Sequence, residues 1–189
     1  MLIRYIFPML LCLLAIAQTT NAQCTTDAGT ISGGGFHCEG STFSINNMAN
    51  ETLDANDILV FVAYTGDVPN ANTVFVTTTD VNFPYQSSFL ANSPFKVAAV
   101  AGNDVGGTVD WDDPCLSVSN VLDITYFPQV QINIPTETLT CLNPSVTLAA
   151  TVNQPNCFFV WSNGANQPTI EVPQPGTYCV TVTNQGGCT

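Results

Sequence analysis

Few residues in this chain could carry chemistry, and His37-Cys38-Glu39 is where a thiol, an imidazole and a carboxylate stand side by side. A Cys–His pair acts only when the imidazole can take the thiol proton, so the two side chains must meet in space. Neighbours in an extended strand point to opposite faces, which keeps them apart. His37 is also the single histidine, so no histidine-based zinc constellation can form. The expectation is a disulfide at Cys38 with a surface histidine beside it. No credible catalytic site remains, and the chain reads as a non-enzyme.

A second cluster is acidic. Asp104, Asp110, Asp112 and Asp113 crowd the glycine-rich stretch Gly102-Asn103-Asp104-Val105-Gly106-Gly107. Calcium takes about six to eight oxygens from a flexible loop, and carboxylates, Asn103 and backbone carbonyls could supply them. These four aspartates are therefore the candidate calcium ligands, and no other cofactor is implied. Their spacing matches no EF-hand, and a plainly solvated acidic loop reads the same way. Hydrolysis by paired carboxylates needs two acids facing each other across a cleft. Asp110 and Asp112 share one strand face at best, and nothing marks them out. Gly33-Gly34-Gly35 lacks a following helix and a P-loop lysine, so it reads as a turn. Asn50-Glu51-Thr52 is a formal glycosylation sequon that matters only in a eukaryotic secretory pathway. Phe83-Pro84-Tyr85 and Phe89 read as loop packing, since a sugar platform would need an exposed aromatic strip.

The elements that must hold these residues begin with a leader. Arg4 supplies a positive start, Ile6 to Ala17 is apolar, and Thr20-Asn21-Ala22 is a small-x-small cleavage site. That order is a secretory signal over residues 1–22, with the mature chain starting at Gln23, free to cyclise. The apolar run falls short of the 18 to 20 or so residues a membrane span needs. The signature of a lipoprotein anchor is missing too, because Leu11 precedes Cys12 and Gln23 precedes Cys24. The chain is expected to be secreted or held at the cell surface, with no membrane insertion after cleavage.

Charge excludes another class. Without Arg4 the mature chain keeps only Lys96 against 14 Asp and Glu. Such a surface repels phosphate backbones and anionic lipid, so nucleic acid is not an expected partner. Charged residues are only 8% of the chain while aromatics reach 10%, the reverse of a disordered acidic tail. The chain should fold. Twelve of the fourteen carboxylates lie between Asp27 and Asp123. That shift suggests two domains, 23–127 and 128–189, meeting near Phe127-Pro128. Each is small enough for its core alone to be marginal.

Seven cysteines remain after Cys12 leaves: Cys24, Cys38, Cys115, Cys141, Cys157, Cys179 and Cys188. In an exported chain they read as a disulfide framework. The odd one could be free, bridge the domains, or pair elsewhere.

A period of two dominates the rest. Ile58 to Tyr64 is a near-continuous β-branched and aromatic run, suited to a strand buried on both faces. Thr73 to Thr79, Phe95 to Ala101 and Cys115 to Phe127 read as further strands. Beyond Pro128, strands are expected over Val130–Ile134, Ser145–Val152, Cys157–Trp161, Thr169–Val172 and Thr177–Thr183. No helical stripe with caps appears. Short strands parted by Pro, Gly and Asn indicate β-sandwiches, with about five to seven strands per domain.

Trp161-Ser162-Asn163-Gly164, Pro175-Gly176-Thr177-Tyr178, Val180 to Asn184 and Gly187-Cys188, with the opening Leu139-Thr140-Cys141, resemble an Ig-like or PKD-like repeat. Such repeats are strung together in large secreted surface proteins, adhesins among them, of gliding, Bacteroidetes-type bacteria that use type IX secretion. Cys24-x3-Ala28-Gly29, Val97 to Gly102 and Asp113 to Ser119 resemble the module that often precedes them. The resemblance implies two consecutive Ig-like/PKD-like β-sandwich domains and further repeats of the same polypeptide. It also implies a non-catalytic role in adhesion or spacing, directed at an extracellular protein or glycan surface. The alternative is a carbohydrate- or calcium-dependent module attached to a secreted enzyme. Trp161 should fill the gap between sheets, and the Tyr178 hydroxyl should reach backbone. On the same pattern Cys141 is expected to pair with Cys188, Cys38 with Cys115, and the additional Cys157 with Cys179. Staples closing loops this long contribute about 4 kcal/mol each in the loop-entropy picture.

Overall fold

The computed structural model of the chain describes residues 24–189 and is almost entirely β. The signal segment and its cleavage point lie outside the described residues.

Up to Phe127 the elements are β1 (Ile31–Gly33), β2 (Gly35–Cys38), β3 (Phe43–Asn47), β4 (Asp57–Tyr64), β5 (Val74–Thr78) and β6 (Asn82–Phe83). A five-residue helix α1 (Ser87–Ala91) follows, then β7 (Phe95–Asn103), β8 (Ser117–Val118) and β9 (Leu122–Phe127). They form two sheets. The larger runs β2-β9-β7-β4-β5 with β8 on β7, and the smaller runs β1-β3-β6. All pairings are antiparallel except β2 on β9.

The run at Ile58 to Tyr64 becomes the strand its composition demands. Successive residues of a strand face opposite ways, and on β4 both faces are covered. Phe61 and Ala63 enter one core with Phe43, Ile45, Phe83, Phe95 and Ile124, between the two sheets. Val60, Val62 and Tyr64 enter a second core with Val100 and Val109. Trp111 and Leu116 cover that second core, so the loop after β7 is the lid of a hydrophobic face. Each fully buried valine here contributes about 1.5–3 kcal/mol over an exposed one.

The first core is aromatic. Phe43 stacks on Phe83 with centroids 4.6 Å apart, and Phe89 stacks on Phe95 at 5.4 Å. Such pairs add about 0.5–1.5 kcal/mol beyond their buried area. Delivering Phe89 is the work of α1, an element the sequence reading does not contain. Phe83 and Phe89 are both buried, as packing residues should be.

The glycine run is where the chain leaves one sheet and enters the other. Gly33, Gly34 and Gly35 all have positive φ, and a Cβ on Gly34 would sit 3.0 Å from the Asp123 carbonyl. Only glycine turns that corner without strain. The expected strand from Cys115 to Phe127 breaks in two because Ser119 and Asn120 spend their side chains on backbone. Ser119 exchanges bonds with the Ala99 main chain. The Asn120 amide accepts from the Ile31 N–H and donates to the Ile31 carbonyl, both at 2.8 Å. It thereby imitates a strand along the free edge of β1.

Beyond Phe127 come β10 (Ile132–Asn133), β11 (Val146–Ala149), β12 (Thr151–Val152), β13 (Phe158–Trp161), β14 (Thr169–Val172) and β15 (Val180–Thr183). They pair as three antiparallel two-stranded sheets, β10-β12, β11-β14 and β13-β15. Their shared core is small: Ala150, Trp161, Ile170 and Val172, with Leu148, Phe159 and Tyr178 against it. Trp161 is 2% exposed and donates its indole N–H to the Gln167 carbonyl at 2.8 Å. The Tyr178 hydroxyl donates to the Gln174 carbonyl at 3.2 Å.

Among the described residues no strand ladder joins the part before Phe127 to the part after it. Nine strands lie on the first side, more than the five to seven expected, and six on the second. The surplus comes from β1, β2, β3 and β6, short strands of two to five residues each.

Candidate functional site

The three residues of the His37 cluster go three ways. His37 lies opposite Tyr126 in the parallel pairing of β2 and β9. Its ring packs 5.3 Å from Phe43 and 5.5 Å from Tyr126, and Nε2 is buried without a partner. Cys38 is in a disulfide with Cys188. Glu39 turns away and accepts from the Gln129 N–H at 3.0 Å. No free thiol faces the imidazole.

Burial holds the His37 pKa below its usual 6.5. An unfolded chain therefore takes up this proton more readily than the folded one, so the contribution to stability is present above pH 6.5 or so. It is lost as pH falls through that value towards the depressed folded pKa. A melting series from pH 7.5 to 5 should show the wild type losing more stability than His37→Gln. Parallel curves would mean the imidazole titrates freely.

The cluster marks a joint. The only inter-unit disulfide among the described residues is Cys38–Cys188, with Cα atoms 5.6 Å apart. Around it the chain is closely tied. Asn184 is buried; its amide nitrogen donates to the Pro128 carbonyl, and its oxygen accepts from the Gly186 and Cys188 N–H groups. Gln154 also donates to the Pro128 carbonyl. A Cβ on Gly186 would come within 2.2 Å of the Phe127 ring, so only glycine lets this turn lie on that face.

The cysteine pairings differ from those the sequence suggests. Cys24 bonds Cys115 and Cys38 bonds Cys188, while Cys141, Cys157 and Cys179 are free. The parallel seat of β2 beside β9 carries Cys38 to the joint, where the turn after β15 arrives. Cys24 is left beside Pro114 and takes Cys115. Cys157 and Cys179 cannot pair, because they flank opposite ends of the β13–β15 ladder. Five rungs separate them, about 17 Å at strand rise, against a Cα limit near 7 Å for a disulfide. Cys141, in a turn held by Thr140 and Asn143, is exposed and not joined to Cys188.

The acidic loop also has a use within the fold. Asp113 is buried, and its carboxylate accepts from the N–H groups of Asn103 and Cys115, both at 2.8 Å. Asp104 accepts from the Gly107 N–H and Asp110 from the Asp112 N–H. These bonds fold the loop so that Val109 and Trp111 cover β4. Among the described residues no three His, Cys, Asp or Glu side chains converge to hold a metal. Asp104, Asp110 and Asp113 cap different stretches of backbone, while the Asp112 side chain caps none. Asp113→Ala leaves two N–H groups without acceptors, at about 1–3 kcal/mol. Urea melts should show that loss, with Asp112→Ala within about 0.5 kcal/mol of wild type.

Elsewhere, an open groove runs between Glu137–Leu139 and Gln174–Tyr178, floored by Val146, Leu148 and Val172. The Asn50 side chain of the sequon accepts from the Thr30 N–H and hydroxyl, so it is already engaged. Two disulfides fit an exported protein, and no described helix is long and apolar enough to cross a membrane. No protein-family model matches the chain, and no curated protein matches it.

Proposed function

We propose that the chain is a non-catalytic module of a secreted or cell-surface protein, acting as an adhesion module or as the spacer that presents one. The observation that carries this reading is the covalent path between its ends. Cys38–Cys188 spans 150 residues, so only 14 of the 164 peptide steps from Cys24 to Cys188 lie outside the loop it closes. Tension applied at the ends runs through Thr25 to His37, which carries Ala28 and Ile31 of the first core, and then through the disulfide, leaving β3 to β15 off the path. A molecule that must stand between a cell and its target needs this property, whereas a catalyst does not.

The two β units are read as Ig-like/PKD-like sandwiches, supported in the second by buried Trp161 and the Tyr178–Gln174 bond. Further repeats of the same polypeptide would extend the array. The partner is an extracellular protein or glycan surface, and the strongly acidic charge argues against nucleic acid.

Deleting the coding sequence in its own organism should reduce attachment to coated surfaces while leaving secreted hydrolytic activities intact. Unchanged attachment, or loss of one hydrolytic activity, would overturn the reading.

A further inference from the structure

Tyr64, the last residue of β4, stands opposite Lys96 on β7, and Lys96 stands opposite Asp123 on β9. Directly opposed residues share a face of the sheet, so a phenol, an ammonium and a carboxylate form one row across three strands. The row lies on the face that Val60 and Val62 share, at the end of β4 remote from the acidic loop. With Thr65, Gly66 and Pro94 it lines a cavity of about 120 Å³. Tyr64 is 0% exposed, yet its hydroxyl has no hydrogen-bond partner, which is rare for a buried polar group. Burial, and then the nearby charges of Asp123 and Asp67, raise its pKa, so the hydroxyl keeps its proton to donate beside the cavity's own carboxylate. Lys96 is the only lysine or arginine after Arg4, in a chain of net charge −12. Its Nζ reaches Asp67 at 3.7 Å, and an ammonium has three protons to give.

We propose that this cavity is a binding site for a neutral, hydroxyl-bearing ligand, neighbouring hydroxyls of a monosaccharide at the end of a glycan. A hydroxyl donates and accepts at once. One can give its proton to Asp123 while receiving one from Lys96, and its neighbour can answer Tyr64. A simple anion would meet two carboxylates, Asp67 and Asp123, and a simple cation would meet Lys96. A free amino acid matches the same charges, but it is not part of a surface; the choice of sugar rests on the adhesion reading above. The space admits one edge of a sugar ring, so recognition comes from hydroxyl geometry and needs no aromatic platform. With so small a contact the affinity is millimolar, which suits many copies acting together.

Titrating the isotope-labelled mature chain with the methyl glycosides of glucose, galactose and mannose, each to about 100 mM, tests this against a dissociation constant in the millimolar range. At least one should give saturable amide shifts at Thr65, Gly66, Lys96 and Asp123. Asp123 is exposed and Lys96 partly so, and Asp123→Ala and Lys96→Gln should each stay folded and weaken binding about tenfold. Tyr64→Phe should also weaken it while melting no lower than wild type, because the deleted hydroxyl has no partner within the protein. No saturable shift, shifts that gather elsewhere, or shifts with glycine but no glycoside would overturn the proposal. So would a Tyr64→Phe protein that melts well below wild type. Attachment lost on gene deletion with no glycoside bound here sinks this site alone. Glycoside bound here with attachment unchanged upholds the site and sinks the adhesion reading.

Discussion

Pulled from handles placed next to Cys24 and Cys188, the oxidised chain should reach no more than about 50 Å, because 14 extended residues span about 3.6 Å each. The remaining chain is locked inside disulfide loops. Cys38→Ser opens the larger loop, leaving Cys24–Cys115 as the shortcut and 73 steps from Cys115 to Cys188. The reach then grows about fivefold, to roughly 260 Å. Cys24→Ser changes nothing, since that bond is not on the shortest path. Full reduction releases all 164 steps, about 590 Å. The three free cysteines are alkylated in the native state beforehand so that they cannot exchange. If the pairs were Cys38–Cys115 and Cys141–Cys188 instead, the oxidised reach would be about 140 Å, and Cys38→Ser would lengthen it about threefold, to roughly 420 Å. One optical-tweezers experiment therefore tests the pairing and the spacer reading together. A long oxidised extension would remove the ground for both.

Trp161→Ala should unfold the part beyond Phe127 while the part before it stays folded. The core beyond Phe127 has four buried residues, and Trp161 is the largest of them. Truncating a buried tryptophan costs about 3–5 kcal/mol through lost burial and the cavity left behind. A core of this size in some sixty residues supplies little more than that. The Gln167 carbonyl would also lose its indole donor. The Cys38–Cys188 bond cannot rescue the unit, because it holds only the last turn. The expected signature is loss of dispersed amide signals from residues after Pro128, with β4 and β7 signals unchanged. If the whole chain melts together, the joint at Asn184 and Phe127 couples the two units more strongly than their separate ladders imply. Phe159→Ala, at a half-buried position, is the milder comparison and should leave the unit folded.

Much of the secondary structure was written locally. Ile58 to Tyr64, Phe95 to Ala101, Thr169 to Val172 and Phe158 to Trp161 are strands for a short-range reason. β-branched and aromatic side chains in alternation bury well on a pleated surface and poorly elsewhere. The acidic charge and the leader-like start are properties of composition, and they bear on compartment and partners without reference to any fold. Trp161 and Tyr178 were expected from the resemblance to an Ig-like or PKD-like repeat, and both pack in the core beyond Phe127.

Long-range placement was not written that way. Which cysteine meets which depends on Cα atoms coming within about 7 Å, and that followed from β2 docking in parallel on β9, a pairing with no local signature. The acidic loop reads as a candidate ligand set because sequence shows carboxylates and not their partners; in three dimensions Asp113 accepts from two backbone N–H groups. Spacing told that His37 and Cys38 would diverge, but not that the imidazole would sit between Phe43 and Tyr126. Nor could it tell that Cys38 would close the joint. Local preferences decide the strands because their energies are collected within a few residues. The tertiary structure decides the staples and the joint because those contacts depend on where residues far apart in the chain are finally held.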